Sequence, residues 1–228
     1  MPVNFFFKHF SLKIQTLTIK DLIIIGAGNV GGFVAYNQDL FAEKYNVLGF
    51  LDDDANKIGK QFYGYTVIGD TNHILSLSRD VAVAIGIASP KAKKLIYEKL
   101  RGHGFVFPSF ISKNAWLSNK VKTGKGVIIY PGVSINYETV VEDFVIMNMN
   151  CAIGHNCHIS KFCALAPGVN LAGFTKVEEG VDIGIGVSTR QNIEVGKNSI
   201  IGGQTMLIKN VSAGSTIVGV PGYNIIKK

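Results

Sequence analysis

The chain has 228 residues, of which 47% are hydrophobic, and a formal net charge of +7 at neutral pH. That length suits one or two domains, and that hydrophobic content is ample for a buried core. Its basic residues are dispersed and accompany no RNA- or DNA-binding motif, so we expect polyanionic small ligands rather than nucleic acid.

Neither a membrane span nor a signal peptide is predicted. No apolar run reaches the roughly 18 residues that a membrane span needs, and Lys8 and His9 interrupt the apolar patch near the N-terminus. We therefore expect a cytoplasmic protein. Residues 1–20 have an alternating pattern and are predicted to form an N-terminal extension, either a leading strand or a loosely docked arm, without an assigned function.

Residues 21–111 show strands that alternate with helices, which is typical of a small parallel sheet. A strand at 22–25 runs into a glycine loop, GAGNVG, and an apolar helix. Further strands are predicted at 47–51 and 81–85. Ser89 then caps a helix that stops before Gly102, and residues 105–111 are predicted as one more strand.

The glycine loop stands between a strand and a helix, where backbone N–H groups and the helix N-terminus can hold a phosphate. Asp52 and Asp53 follow about twenty residues later, where an acid commonly contacts a ribose or a base. An NAD-dependent oxidoreductase is one alternative, although residues 21–111 make little more than half of a full dinucleotide fold. A loop that only packs helix against strand is another.

Residues 117–211 repeat every six residues without losing phase. Two columns of side chains, one starting at Leu117 and the other at Val121, contain no charged residue. A six-residue period fits neither an α-helix nor a straight strand. It predicts a β-helix whose short strands turn a corner every six residues, with three faces per coil. We predict this fold for 112–228; an antiparallel sandwich would need strands and turns of uneven length.

The three cysteines, Cys151, Cys157 and Cys163, fall in the second column at successive corners. We expect them to lie in the core as small hydrophobic residues. A disulfide or zinc site is not predicted, because the sequence has no C-x-x-C pair and no histidine cluster at ligand spacing. We therefore expect no metal.

Together these motifs resemble the bacterial nucleotide-sugar acetyltransferases, a family of hexapeptide-repeat acyltransferases related to the bacillosamine-pathway N-acetyltransferase and to sialic acid O-acetyltransferases. The resemblance spans residues 21 to about 223 and rests on six short motifs: IGAG at 25–28, GFLDD at 49–53, AIG at 84–86, IGH at 153–155, APG at 166–168 and VGVPG at 218–222. It implies an α/β Rossmann-like domain at 21–111 followed by a left-handed parallel β-helix. It also implies a homotrimer that shares active sites at its interfaces.

The resemblance also implies the roles of individual residues. His155 is the expected general base, with Asn156 and Asn148 in the same catalytic site. The residues expected near the nucleotide of a nucleotide-linked sugar are Gly26, Gly28, Asn29, Asp52 and Asp53. The residues expected along the cosubstrate, acetyl-CoA, are Gly173, Ile185, Gly203 and Pro221.

Two positions depart from the family pattern. The residue after the catalytic histidine is usually Asp or Glu and is Asn156 here, and a second histidine of some members corresponds to Ala164. An amide cannot stabilise an imidazolium by charge. We therefore expect Glu138 or Glu142, from an adjacent coil or subunit, to orient His155. His158 is expected to be a non-catalytic neighbour.

These observations favour an acetyl-CoA-dependent N-acetyltransferase. Its expected substrate is a UDP- or dTDP-linked amino sugar, of the 4-amino-4,6-dideoxy type, used for a surface polysaccharide such as lipopolysaccharide or for another glycan. One alternative is O-acetylation of a sugar such as sialic acid. A non-enzymatic alternative is a nucleotide-sugar sensor built on a β-helix scaffold.

Overall fold

The computed structural model describes residues 20–225 and contains an α/β domain and a β-helix. Two apolar clusters each include side chains from both parts, so the two parts share a packed core. Of the predicted N-terminal extension, only Lys20 lies within the described residues, where it begins the first strand. No helix among residues 20–225 is long and apolar enough to cross a lipid bilayer.

The α/β domain contains five strands: β1 Lys20–Ile25, β2 Tyr45–Leu51, β3 Gln61–Phe62, β4 Tyr65–Gly69 and β5 Ala82–Ile85. They form one sheet in the order β3-β4-β2-β1-β5. The pairs β1–β2, β1–β5 and β2–β4 are parallel, and the edge pair β3–β4 is antiparallel. The sheet confirms the strands predicted at 22–25, 47–51 and 81–85. The β3–β4 hairpin was not predicted.

Two α-helices flank this sheet. Helix α1, Asn29–Tyr36, starts within the GAGNVG motif, directly after Gly28, and is followed by a short 3₁₀ helix, Gln38–Leu40. Another 3₁₀ helix spans Thr71–Ser76. Helix α2, Pro90–Leu100, begins as predicted, because the Ser89 side chain accepts a hydrogen bond from the Ala92 N–H at 3.4 Å.

Residues 105–111 differ from their prediction as a single strand. Val106 makes only an isolated bridge to Ala82 at the edge of the α/β sheet. The later residues form β6, Phe110–Ile111, which pairs with Ile128–Ile129 inside the β-helix. Pro108 lies between the two segments and has no N–H group for a ladder. The β-helix therefore starts at Phe110 rather than at residue 112.

The β-helix has three faces, each a sheet whose strands come from successive coils. Face 1 contains β7 Trp116–Leu117, β10 Ser134–Ile135, β13 Ala152–Ile153, β16 Asn170–Leu171, β19 Ser188–Thr189 and β22 Met206–Leu207. Face 2 contains β8 Lys122–Thr123, β11 Val140–Val141, β14 His158–Ile159, β17 Lys176–Val177 and β20 Glu194–Val195. Face 3 contains β6, β9 Ile128–Ile129, β12 Ile146–Met147, β15 Ala164–Leu165, β18 Asp182–Ile183, β21 Ile200–Ile201, β23 Thr216–Val218 and β24 Tyr223–Asn224.

The two columns of the six-residue repeat point into the β-helix as predicted. Their side chains are buried except those of Leu117, Val121 and Thr123 in the first coil. The three cysteines are buried and not bonded to one another. The Cys163 Sγ lies 3.0 Å from the Glu178 carbonyl oxygen, and burial raises the pKa of this thiol to about 12. The cysteines are therefore core residues, as expected.

Each coil turns three corners. We call the corner between faces 1 and 2 corner 1, that between faces 2 and 3 corner 2, and that between faces 3 and 1 corner 3. At corner 1, five stacked residues adopt left-handed backbone conformations with φ between 55° and 67°: Lys120, Glu138, Asn156, Phe174 and Asn192. These residues, spaced one coil apart, are called the corner-1 column. None is glycine, although side chains other than Asn and Asp rarely adopt this conformation.

The α/β domain is docked on face 3, on corner 2 and, in the first coils, on the start of corner 3. Phe144 and Phe162 stack at corner 2 with ring centroids 5.5 Å apart, and Tyr97 of α2 lies 4.6 Å from Phe144. Where β9 of face 3 leads into corner 3, Phe33 of α1 stacks on Tyr130 at 3.7 Å. Because the domain occupies face 3 and corner 2, the body of the β-helix separates it from corner 1.

Candidate active site

His155 lies at corner 1, between β13 and β14, and is half-buried. Its imidazole packs against Phe174 of the next coil in a T-shaped arrangement, with centroids 4.9 Å apart. Gly173 lies beside the same ring, where an added Cβ would come within 2.7 Å of His155 Nε2. A side chain at position 173 would displace the imidazole. Gly173 therefore makes room for the histidine.

A chain of hydrogen bonds fixes the tautomer of His155. His155 Nδ1 lies 3.0 Å from Asn156 Oδ1, and Asn156 Nδ2 donates to Glu138 Oε2 at 3.1 Å. A carboxylate only accepts hydrogen bonds, so the Asn156 atom that faces Glu138 must be the NH₂ group. The Asn156 carbonyl then faces His155, whose Nδ1 must carry the proton. His155 Nε2 consequently has a free lone pair and can act as a base.

Glu142, the other acid considered as a partner that orients His155, instead contacts a different histidine, His158. His158 Nε2 lies 2.7 Å from Glu142 Oε1, and the Lys161 N–H donates to the second carboxylate oxygen at 3.2 Å. His158 projects from face 2 and is exposed. Of the two predicted candidates, only Glu138 reaches His155, and it does so through Asn156.

Asn148 lies on a different edge of the β-helix from His155. It follows β12 and enters corner 3, and its Oδ1 accepts a hydrogen bond from the Met149 N–H at 2.8 Å. Within one chain, the structure therefore does not bring Asn148 and His155 together.

The residues predicted to line acetyl-CoA are likewise distributed over two edges. Gly173 lies at corner 1 beside His155. Ile185 and Gly203 are stacked one coil apart at corner 3, where a Cβ added to Gly203 would lie 3.2 Å from the Ile185 carbonyl oxygen. Pro221 is exposed and lies between β23 and β24. One chain alone does not form a single site from these four residues.

Shallow depressions flank corner 1 on both sides. The one on face 1 has a volume of about 370 Å³ and is lined mainly by small outward side chains such as Ser134, Ala152 and Ser188. The one on face 2 has a volume of about 580 Å³ and includes Lys120 and Lys176. His155 thus stands on an exposed ridge between two open troughs.

A separate cavity of about 360 Å³ lies in the α/β domain. Its lining includes all five residues predicted near a nucleotide: Gly26, Gly28, Asn29, Asp52 and Asp53. The N-terminus of α1 borders the cavity, and its free N–H groups and positive dipole end favour an anion such as a phosphate.

Asp52 supports the wall of this cavity. Its carboxylate accepts hydrogen bonds from the Ala27 N–H at 2.9 Å and the Asp54 N–H at 3.0 Å, and it pairs with Lys57 Nζ at 2.8 Å. Burial alone would raise the pKa of the Asp52 carboxyl. These hydrogen bonds and the Lys57 charge outweigh burial and lower it. Asp53 accepts the Thr71 N–H at 2.8 Å and is more exposed.

The glycines of the loop have different roles. A Cβ added to Gly31 would lie 2.0 Å from the Gly26 carbonyl oxygen, so Gly31 is needed for close packing of α1 on the loop. A Cβ added to Gly28 would meet no atom within 4 Å, and its φ of −112° suits any residue. The missing side chain of Gly28 therefore leaves space in the cavity, whereas that of Gly31 is required by packing in the interior.

Sequence reasoning missed three residues of these sites. Lys57 and Tyr63 reach the α/β cavity region from the loop after β2 and from the unpredicted β3–β4 hairpin; the Tyr63 hydroxyl donates to Asn29 Oδ1 at 2.9 Å. Phe174 packs on His155. A signal for Phe174 was present, because it stands eighteen residues after Asn156, which is one full coil. Among residues 20–225, no group of His, Cys, Asp or Glu side chains is placed to hold a metal ion.

Comparisons with known proteins extend over both parts of the chain. Residues 21–100 match the PglD N-terminal domain family. Over 207 residues, the chain is 27% identical to GDP-perosamine N-acetyltransferase of Escherichia coli O157:H7, an alignment that covers 87% of this chain and 93% of that protein. The fold matches the acetyltransferase domain of PglB from Neisseria gonorrhoeae FA1090 in complex with acetyl coenzyme A, with a TM-score of 0.84 and 27% identity, covering 91% of this chain and all of that domain.

The chain is thus similar to PglD-like acetyltransferases over most of its length. A further similar structure is PerB from Caulobacter crescentus in complex with CoA and GDP-perosamine, with a TM-score of 0.83 and 25% identity, covering 91% of this chain and 98% of that one. These similarities identify the chain as an acyltransferase with acetyl-CoA as its cosubstrate, as predicted from the sequence.

Proposed function

We propose that this PglD-like chain transfers the acetyl group of acetyl-CoA to the amino group of a nucleotide-linked amino sugar. The observation that carries the proposal is His155, whose Nε2 lone pair is free on an exposed ridge, in a chain that also has an anion-favouring cavity in its α/β domain. One similar protein is named GDP-perosamine N-acetyltransferase, and another, PerB, has a structure in complex with GDP-perosamine. GDP therefore joins UDP and dTDP as a candidate nucleotide of a 4-amino-4,6-dideoxy sugar.

In the proposed reaction, His155 accepts the proton that the sugar amine loses. The neutral amine attacks the thioester carbonyl carbon and forms a tetrahedral intermediate, while Nε2 accepts the proton that the nitrogen loses. Collapse of the intermediate forms the amide and breaks the C–S bond, and the CoA thiolate takes a proton back from the imidazolium. The reaction is thus balanced without a metal. We propose that it occurs in the cytoplasm and supplies a surface polysaccharide, as the family resemblance implies.

We further propose that the active site is shared between copies in a homotrimer of left-handed β-helices. The support is geometric: the α/β cavity belongs to a domain on face 3 and corner 2, whereas His155 lies on corner 1 with the body of the β-helix in between. A substrate held in that cavity therefore reaches the His155 of a neighbouring copy. The same arrangement lets corner 3 of one copy, with Asn148, Ile185 and Gly203, face corner 1 of the next.

Mixed oligomers test the shared site. His155→Ala chains lack the base and Gly28→Val chains lack the cavity space, but a mixed trimer contains sites with both parts intact. After denaturation and refolding of an equal mixture, assayed at a nucleotide-sugar concentration well below the wild-type KM, we expect about a quarter of the wild-type activity, because random assortment leaves about one site in four intact. Activity no higher than that of the separate variants, in mixtures shown by light scattering to be trimers, would place the whole site within one chain.

Gly28→Val tests the α/β cavity. The valine side chain enters space that the nucleotide needs, so we expect the KM for the nucleotide-sugar to rise at least about tenfold while the KM for acetyl-CoA and kcat change little. The melting temperature should stay near that of wild type, because the new Cβ contacts nothing. Asp53→Ala should change kinetics in the same direction. Unchanged KM for every nucleotide-sugar, or tight NADH binding without nucleotide-sugar binding, would contradict this assignment.

A further inference from the structure

We propose that Glu138 is a positioning residue for His155 and acts through the Asn156 side chain. The inference deepens the proposed function and rests on it. The negative charge that stabilises the His155 imidazolium then comes from Glu138, one coil away. From the sequence alone, both Glu138 and Glu142 were candidates for this charge.

The contacts form one continuous chain. His155 Nδ1 to Asn156 Oδ1 is 3.0 Å, and Asn156 Nδ2 to Glu138 Oε2 is 3.1 Å. Lys120 Nζ lies 3.6 Å from Glu138 Oε1, the oxygen that does not face Asn156. Glu138 is therefore held from one side by Lys120 and from the other by Asn156.

The direction of these bonds makes the amide a relay. When His155 accepts a proton at Nε2, its Nδ1–H becomes a charged donor, and the bond to Asn156 Oδ1 strengthens. That bond polarises the Asn156 amide, which in turn donates more strongly to the Glu138 carboxylate. The carboxylate thus favours the protonated histidine at a distance of two hydrogen bonds. Without the Glu138 carboxylate, the Asn156 amide could rotate and present its NH₂ group to His155 Nδ1. That orientation would favour the His155 tautomer protonated at Nε2.

The backbone at these positions supports a specific role. Glu138 and Asn156 both belong to the corner-1 column, with φ of 55° and 56°. Asparagine tolerates this conformation, but glutamate rarely adopts it. The comparable phenylalanines at corner 2, Phe144 and Phe162, are accounted for by packing against Tyr97 of the α/β domain. Glu138 packs against no other domain within the described residues, and its carboxylate instead bonds the residue that orients His155.

A simple surface ion pair is the competing explanation for Glu138. Its side chain is 43% exposed, and exposed pairs such as Glu138–Lys120 contribute little to stability. The chain supplies a matched comparison in Glu142, which has a 31% exposed side chain and bonds His158 on face 2. If Glu138 were only a surface charge, Glu138→Gln and Glu142→Gln would behave alike.

Steady-state kinetics across pH 6–9 distinguish the two explanations. We expect Glu138→Gln to lower kcat roughly 10- to 100-fold, the range that is typical when the hydrogen-bond partner behind a metal-binding histidine is removed. The acidic limb of its kcat profile should move to lower pH, with both KM values within about twofold of wild type. Glu142→Gln should keep the wild-type kcat and profile.

Exchanging the two functional groups gives a sharper test. Asn156→Asp alone places two carboxylates side by side, which raises the pKa of one of them and weakens the site. Combined with Glu138→Gln, the carboxylate introduced at position 156 bonds His155 directly and accepts a hydrogen bond from the amide introduced at position 138. We expect the double variant to exceed both single variants in kcat by at least about fivefold, a non-additive recovery that a merely structural role would not produce.

The tautomer provides a readout that needs no turnover. In ¹⁵N NMR spectra of ring-labelled wild-type protein, we expect neutral His155 to be protonated at Nδ1, and in Glu138→Gln a shift toward protonation at Nε2. Wild-type kinetics and an unchanged tautomer in Glu138→Gln, together with an inactive His155→Ala, would overturn the relay while leaving the proposed function intact. If wild type transfers no acetyl group to any nucleotide-sugar, the proposed function fails, and the tautomer still decides the relay.

Discussion

His155→Ala should lower kcat about 10²- to 10⁴-fold, the contribution of a general base, and should leave both KM values nearly unchanged. The reason is the free Nε2 lone pair that the Asn156 and Glu138 hydrogen bonds impose. The measurement is kcat at intervals from pH 6 to 9.

His158→Ala is the control for this experiment. His158 follows His155 closely in the sequence, carries the same side chain and has a carboxylate partner, Glu142, at 2.7 Å. It projects from face 2, outside the corner-1 column, so its removal should change kcat by less than about threefold. Near-wild-type kcat of His155→Ala at every pH would show that the amine loses its proton to water or to the CoA thiolate.

Lys93→Met should remove a contribution to the free energy of unfolding that Lys93 alone is expected to add between pH 7 and 10, on the order of 4 kcal/mol. Lys93 is buried where α2 meets corner 2, and burial lowers the pKa of its amine to about 7, although the Cys163 thiol and Asp182 oppose this. The two N–H groups of the neutral amine donate to the carbonyl oxygens of Phe144 at 3.0 Å and Cys163 at 3.1 Å.

The sign follows from proton counts. Between pH 7 and about 10, the unfolded chain holds a proton on Lys93 that the folded chain lacks, so the contribution of Lys93 to stability rises with pH in this window. Below pH 7 both states are protonated and the contribution is constant. Urea unfolding at intervals from pH 7 to 10 measures the difference in slope between wild type and Lys93→Met. Lys94→Met, on the same helix but exposed and paired with Glu179, should keep the wild-type slope. Parallel slopes for all three proteins would contradict the account of Lys93.

The β-helix could be predicted from sequence because its core repeats. The same two positions of every six-residue repeat point inward. Side chains such as Val133 and Cys151 can therefore be assigned to the core without knowledge of any other element. The glycine loop was similarly recognisable because Gly31 must admit the Gly26 carbonyl oxygen at close range. In both cases a local steric requirement selects the residue type.

Other features depend on contacts that have no local signature. The docking of the α/β domain on face 3 rests on aromatic pairs such as Phe33–Tyr130, whose members are far apart in sequence. The spacing of Glu138 and Asn156 placed them one coil apart. It did not show which of Glu138 and Glu142 would reach toward His155, because that choice depends on side-chain directions at a corner. The separation of His155 from the cavity of the α/β domain likewise follows only from the docking of that domain.

The most direct test of the central claim is the release of free CoA from acetyl-CoA in the presence of defined sugars. The panel pairs each 4-amino-4,6-dideoxy sugar, linked to GDP, UDP or dTDP, with its 4-hydroxy counterpart, and adds free sialic acid. We expect stoichiometric CoA release with at least one amino sugar, an N-acetyl product by mass spectrometry, and no release with the hydroxy sugars. Release with a hydroxy sugar or sialic acid only would identify an O-acetyltransferase, and tight nucleotide-sugar binding without any release would identify a sensor; either result contradicts the account given for His155.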